Sequence, residues 1–155
     1  MKLFQIEEPD GGSAAPDASG AAIGVDAGGN RVEVAFSVGG NALVLEDRQG
    51  FEQELPVPAI GAGTAAWQRL LEGARVRAER ALARPVTHAV IVLTAVPEAG
   101  AARRLRQAAQ RAGLEVLRLA GRGELSSGPT PALAAARLAE DLAPRPELAA
   151  APDPR

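Results

Sequence analysis

The side chains that could do chemistry are few in this chain of 155 residues. It contains no Cys, which excludes a disulfide framework, a thiolate metal site and a cysteine nucleophile. His88 is the only histidine, so a multi-histidine metal site cannot form, and we expect a structural role for it at a strand edge. Glu7 with Glu8 and Glu46 with Asp47 are adjacent pairs, and adjacent strand residues face opposite sides. Neither pair is therefore expected to converge on one ligand.

Basic residues do not point to a nucleic-acid surface. The segment 103–111 carries four arginines that could attract a phosphate or an acidic partner, and we interpret them as a solvated helix face: Arg103, Arg104, Arg106 and Arg111. The net charge is -2, and only 3% of the residues are aromatic, so few rings are present to stack on bases or sugars. The composition thus disfavours binding to nucleic acids or glycans.

One carboxylate stands at a more suggestive position. Asp26 follows the short apolar run of residues 21–25 and precedes Gly28, Gly29 and Asn30, which can supply the positive φ angles of a turn. The run predicts a first strand with Asp26 at its end. From the residues alone, we interpret this segment as a plain glycine-rich turn with a solvent-facing Asp26.

The next segments predict an antiparallel meander. Residues 31–38 alternate strictly, with Val32, Val34, Phe36 and Val38 on one face, which is typical of a half-buried strand. The pair Gly39 and Gly40 is a hairpin signal, and residues 41–46 supply a third strand.

Helices and buried strands alternate in the second half. Helical periodicity predicts helices over residues 64–83, 97–112 and 131–142, the first of which places Trp67 against the sheet and the last of which has Thr130 as its N-cap. Continuous apolar runs predict strands over residues 89–93 and 114–119. Three antiparallel strands followed by two helical crossovers give an α/β fold with a mixed five-strand sheet in the order 3-2-1-4-5 and flanking helices. That is the ribonuclease-H-like architecture, which also forms each half of the actin-like ATPases.

The ends of the chain differ from this folded part, which we predict to be a single domain over residues 21–143. Residues 1–20 are predicted to be a flexible lead-in, and residues 144–155 a disordered tail rich in Pro and Ala. The first residues lack a signal-peptide core, and no stretch approaches the roughly 20 apolar residues of a membrane span. We therefore expect a soluble cytoplasmic protein without membrane contact.

Four segments resemble a known family. Residues 3–9 (LFQIEEP), 23–28 (IGVDAG), 85–91 (PVTHAVI) and 112–119 (AGLEVLRL) are similar to the first ATPase lobe of the seventy-kilodalton heat-shock chaperones. The opening segment resembles the HscA branch, which serves iron-sulfur cluster assembly. The resemblance covers nearly all of this chain but a minority of such a chaperone. Residues 61–64 stand where the family inserts a separate subdomain.

The resemblance implies a nucleotide site after the first strand. In the family this turn has the order Asp, apolar, Gly, Thr, Thr, Asn, and it holds phosphates and hydrated magnesium. The matching positions here are Gly24, Asp26, Gly28, Gly29 and Asn30, with Asp26 as a weak metal ligand, but Gly29 and Asn30 replace both hydroxyls. We expect a vestigial site that requires no cofactor and binds magnesium-ATP or magnesium-ADP weakly at most.

Other functional positions of the family are also altered. The proline and arginine that relay the nucleotide state correspond to Thr94 and Ala102. The family's Asn-Glu-Pro-Thr after the fifth strand would fall at residues 121–124 or, with an insertion, its Pro-Thr would match Pro129 and Thr130. In either alignment no Glu occupies the expected place, and Glu124 is interpreted as a solvated loop residue. The phosphate-facing lysine belongs to the missing insert. The resemblance therefore predicts a protein without ATPase activity at a chaperone-like rate.

Two functions remain open at this stage. The first is a non-catalytic protein-binding module related to iron-sulfur cluster assembly or protein folding, with a J-domain co-chaperone, the iron-sulfur scaffold system or a second copy as partner. The alternative is a metal-dependent nuclease of the Holliday-junction-resolvase type, because residues 24–32 also resemble the opening of those enzymes. Such chemistry needs two or three converging carboxylates, and Asp26 alone is well placed.

Overall fold

Five strands and three α-helices follow one another in the computed structural model, which describes residues 20–45, 57–59, 62–125 and 130–144. They are β1 (Ala21–Asp26), β2 (Glu33–Val38), β3 (Asn41–Val44), α1 (Thr64–Leu82), β4 (Val86–Leu93), α2 (Ala99–Arg111), β5 (Glu115–Gly121) and α3 (Pro131–Leu142). They belong to one compact unit, Ala21–Ala143. The expected lead-in and tail lie outside the described residues apart from Gly20 and Pro144, as does Glu46 at the end of the predicted third strand.

The five strands form one mixed sheet in the order β3-β2-β1-β4-β5. β1 pairs antiparallel with β2 and parallel with β4, and β5 pairs parallel with β4. The predicted α/β class, strand order 3-2-1-4-5 and flanking helices are confirmed. β1 is the central strand: the antiparallel strands β2 and β3 lie on one side of it, and the parallel strands β4 and β5 lie on the other.

Helices cover both faces of the sheet. Ile23, Val25 and Ile91 face the side of α1 and α2, where they join the largest apolar cluster. The alternate residues Ala22, Val90 and Val92 face α3, which contributes small side chains to that side: Ala135 and Ala139. No helix among the described residues is long and apolar enough to cross a membrane.

The β2–β3 hairpin differs from the half-buried strand pair that the alternation predicts. Ser37 is buried beneath α3, whereas Val38, on the expected core face, is 58% exposed. Gly39 and Gly40 have φ angles of 61° and 85°, as a two-residue hairpin of this type requires. Glu140 of α3 accepts hydrogen bonds from the Ser37 hydroxyl and from both glycine N–H groups. This carboxylate fastens the hairpin to the helix.

Several element ends shift from their predicted positions. α1 begins at Thr64 as predicted and ends at Leu82, with Ala83 as its cap. α2 begins at Ala99, two residues after the expected proline. β4 begins at Val86 and so contains His88, which lies inside this strand opposite Glu115 and not at a strand edge. Its ring contacts the hydroxyl of the preceding threonine, which agrees with a structural role.

Trp67 supplies the first prediction. It is 3% exposed, and its indole N–H donates to the Ala59 carbonyl at 3.2 Å. We expect Trp67→Ala to lower the free energy of unfolding by about 3 to 5 kcal/mol in urea titrations, because the removed ring leaves a cavity. The exposed neighbour Arg69→Ala serves as control and should change it by less than about 0.5 kcal/mol. Equal losses in both variants would contradict the packing.

Candidate functional site

Asp26 lies at the carboxyl end of β1, the edge at which β4 and β5 also end. Its side chain is only 3% exposed, so the expectation of a solvent-facing Asp26 is wrong. A buried carboxylate requires hydrogen bonds or an opposite charge, because burial removes its hydration. The structure supplies both from within the chain.

The opposite charge comes from Arg122. It opens a short 3-10 helix, Arg122–Glu124, that directly follows β5. Its Nη2 lies 2.8 Å from Asp26 Oδ2, and its Nε lies 3.3 Å from Oδ1, so the guanidinium donates hydrogen bonds to both carboxylate oxygens. The N–H of Gly28 also donates to Oδ1, at 2.9 Å. The carboxylate is thereby satisfied without any external cation.

The same contact changes the titration of Arg122. Its hydrogen bond to Asp26 raises the pKa of the guanidinium, the charges of Asp26 and Glu33 add to the effect, and burial opposes it. A raised pKa favours the charged form of the guanidinium in the folded protein. The stability that Arg122 contributes through this shift is therefore fully present at neutral pH and is lost as the pH rises through the higher folded pKa.

The glycine turn lies directly against Arg122. A Cβ on Gly28 would stand 2.8 Å from Arg122 Nε, and one on Gly29 would stand 3.3 Å from Nη2. Gly28 also accepts a hydrogen bond from the Thr94 hydroxyl at 3.0 Å, which joins the turn to the end of β4. The carbonyl of Asn30 accepts from the N–H of Val57. Any magnesium ion or phosphate that approached Asp26 and Gly28 together would have to displace the guanidinium.

Gly24 does not join this group. It lies within β1 beneath α3, where an added Cβ would stand 2.7 Å from the carbonyl carbon of Ala135 and 2.8 Å from the Ala132 oxygen. The close approach of helix and strand explains a glycine here without any ligand. Of the five positions that the resemblance implies, the structure brings Asp26 and the turn residues together, whereas Gly24 lies two residues earlier on β1, packed against α3.

The remaining positions matched to the family have local partners. Thr94 bonds to the turn, as described above, and Ala102 lies in α2. Glu124 Oε1 lies 3.7 Å from Arg118 Nη2 and accepts a hydrogen bond from the N–H of Gly121, at the start of the short helix. The four arginines of α2 are exposed, and Arg106 donates to the Val116 carbonyl. They form the expected solvated face.

A cleft of about 520 Å³ opens beside the turn. Trp67, Leu93 and Val96 give it an apolar wall, while Glu98 and Arg104 bring one charge of each sign. A triphosphate favours several cations, whereas among the described residues that line this cleft Arg104 is the one cation and Glu98 offsets its charge. No three His, Asp or Glu side chains come together to hold a metal within the described ranges.

Arg122 is the residue that the sequence did not reveal. No motif marks an arginine after a fifth strand, and the pairing with Asp26 joins positions 96 residues apart. A signal was present in the strand order, because the ends of parallel neighbours lie at one edge and a buried carboxylate there needs a cation. No protein-family model matches the chain, and no curated protein matches it closely.

The ion pair makes a quantitative prediction. Arg122→Met keeps the apolar stem and removes the charge from a buried carboxylate, so we expect a loss of about 1 to 3 kcal/mol of unfolding free energy. The loss stays below that of a fully buried pair because Arg122 is 43% exposed. In Asp26→Asn with Arg122→Met, the combined loss should fall short of the sum by about 1 kcal/mol. Additive losses in chemical denaturation would mean that the two side chains are not coupled.

The tight packing at Gly24 is tested separately. Gly24→Ala places a methyl group against the backbone of α3, so we expect a loss of about 1 to 3 kcal/mol by thermal or urea unfolding. Gly123→Ala is the matched control, because nothing lies within 4 Å of a Cβ added there. A neutral Gly24→Ala would contradict the described approach of α3 to β1.

Proposed function

We propose that this chain is a non-catalytic relative of the first ATPase lobe of the seventy-kilodalton heat-shock chaperones, with a ribonuclease-H-like fold, that acts as a protein-binding module. The sheet order and the crossover helices support the fold assignment. The four segments that resemble these chaperones, of which the opening one resembles the HscA branch, support the family assignment. The internal pairing of Asp26 supports the loss of catalysis.

The ion pair of Asp26 with Arg122 carries this proposal. A magnesium-nucleotide site at a strand end needs an available carboxylate and N–H groups that point at phosphate oxygens. Here the carboxylate is held through both oxygens, and the guanidinium lies over Gly28 and Gly29. Magnesium binding would first have to break this partly exposed ion pair, which costs about 1 to 3 kcal/mol.

Protein partners follow from the family resemblance. A J-domain co-chaperone and the iron-sulfur scaffold system are the partners of the HscA branch, and a second copy of the chain is a further candidate. The apolar cleft beside the turn offers a surface to such proteins. The proposed role is therefore binding, with at most weak retention of magnesium-ATP or magnesium-ADP.

The nuclease alternative gains no specific support. Two-metal cleavage of a phosphodiester needs several free carboxylates at one place. Within the described ranges, Asp26 is not part of any group of three potential metal ligands, and its charge is already matched by Arg122. Cleavage of branched DNA with magnesium or manganese, abolished by Asp26→Asn, would restore this alternative.

Calorimetric titration with magnesium-ATP tests the proposal. We expect the wild-type protein to bind no more tightly than millimolar, about -4 kcal/mol, because Arg122 already engages both oxygens of the Asp26 carboxylate. Asp26→Ala should leave the result unchanged. Steady-state assays should likewise detect no ATP hydrolysis above the level of a heat-inactivated control.

Micromolar binding of magnesium-ATP that disappears in Asp26→Ala would overturn the proposal and indicate a working nucleotide site. The partner is tested by sedimentation of the purified protein with the J-domain co-chaperone and the scaffold protein of the same organism. Co-sedimentation with either one, unaffected by nucleotide, is the expected behaviour of a non-catalytic module.

A further inference from the structure

The two outer strands of the sheet differ in charge. β5, at one edge, carries exposed Glu115 and Arg118. β3, at the other edge, consists of Asn41, Ala42, Leu43 and Val44 and carries no charged side chain. Within the described ranges β3 has no neighbour on its outer side. Charges commonly protect an edge strand from pairing with another chain, so β3 lacks a protection that β5 has.

The alternating hydrogen-bond pattern between β3 and β2 shows which backbone groups of β3 face outward. The N–H of Leu45 donates to the Val34 carbonyl at 2.7 Å, within the ladder to β2. Backbone direction alternates along an antiparallel strand, so Leu43 also bonds toward β2. The N–H and C=O groups of Ala42 and Val44 therefore face the open side.

Exposed apolar side chains lie beside these outward-facing backbone groups. Leu43 is 55% exposed, and it lies opposite Phe36 in the hairpin register. Val38, also exposed, lies on the same face of β2 as Phe36. The edge thus combines outward-facing backbone donors and acceptors that pair with no described strand with exposed aliphatic surface, the two features of strand addition.

We propose that β3 pairs antiparallel with β3 of a second copy of this chain, about a two-fold axis at Leu43. In this register the outward groups of Ala42 pair with those of the partner's Val44, and the reciprocal pair forms by symmetry. Leu43 then faces the partner's Leu43 as a non-hydrogen-bonded pair, the arrangement with the closest side chains. No like charges oppose each other, because β3 has none. This proposal rests on the protein-binding role and names the partner.

A second copy fits this edge because a two-fold interface must match itself. The outward groups of Ala42 and Val44 lie symmetrically about Leu43, so one strand supplies every donor and acceptor that the other needs. The exposed leucine at the centre is covered by its own equivalent. The result is a sheet that continues across both copies.

Sedimentation equilibrium of the full chain tests the association. We expect a monomer–dimer equilibrium with a dissociation constant tighter than about 1 mM. Leu43→Lys places two like charges opposite each other and should weaken association at least about tenfold. Ala42→Pro removes an outward N–H and should act in the same direction. Leu142→Lys, at another exposed leucine, is the control and should behave as wild type.

A cysteine cross-link tests the register. The chain contains no Cys, so Leu43→Cys introduces a single thiol. Cα atoms of a non-hydrogen-bonded pair stand about 4.5 Å apart, within the range of a disulfide. Mild oxidation should give a disulfide-linked dimer of Leu43→Cys much faster than of Leu142→Cys. Equal cross-linking of the two variants would overturn the proposed register.

The outcomes separate this inference from the proposed function. A wild-type protein that stays monomeric to about 1 mM, or a dimer unaffected by Leu43→Lys and Ala42→Pro, overturns the β3 interface. Neither result bears on nucleotide binding. Tight binding of magnesium-ATP would overturn the proposed function whether or not the protein dimerises. Circular dichroism of each variant confirms that a lost dimer reflects the edge and not unfolding.

Discussion

A carboxylate buried at the end of the central strand is the constraint around which this edge of the sheet is arranged. Asp26 lies where three parallel strands end, and its charge is matched by Arg122 from beyond β5. The neighbouring backbone must leave room for the guanidinium, which explains Gly28. The loop after β4 passes close to Gly121. A Cβ added to this glycine would stand 3.0 Å from the backbone nitrogen of Val96, so a larger residue would not fit without movement. An edge that could hold a ligand is thus used for an internal contact.

Close approach of backbones also shapes the core. With only 3% aromatic residues, the chain has few large side chains to fill space between layers. α3 meets β1 through alanines and Gly24, so the helix lies near the strand and small side chains suffice. Such packing tolerates little added volume, because a methyl group inserted there meets backbone that cannot move aside.

Sequence periodicity predicted most of the fold and little of the site. The alternation of residues 31–38 and the helical spacing after Thr64 are local patterns, so they predicted the strands and helices. The rules for connecting these elements then predicted the strand order. The burial of Ser37 was not predictable from that alternation, since α3 arrives from more than ninety residues away. Asp26 was identified by its position, but its burial depends on Arg122, a long-range partner that no spacing rule marks. The same long-range origin explains why Gly24 matched a motif and yet serves packing.

The most direct measurement is a nuclear magnetic resonance titration of the isotope-labelled protein with magnesium-ATP at millimolar concentrations. It follows the backbone N–H signals of Gly28 and Gly29 and the Nε–H of Arg122. A turn closed by the ion pair predicts that the three signals show no saturable shift below millimolar magnesium-ATP, and that the two glycine signals shift at lower concentrations in Arg122→Ala. Shifts of the two wild-type glycine signals that saturate at micromolar magnesium-ATP, together with release of the Arg122 Nε–H, would contradict a closed site.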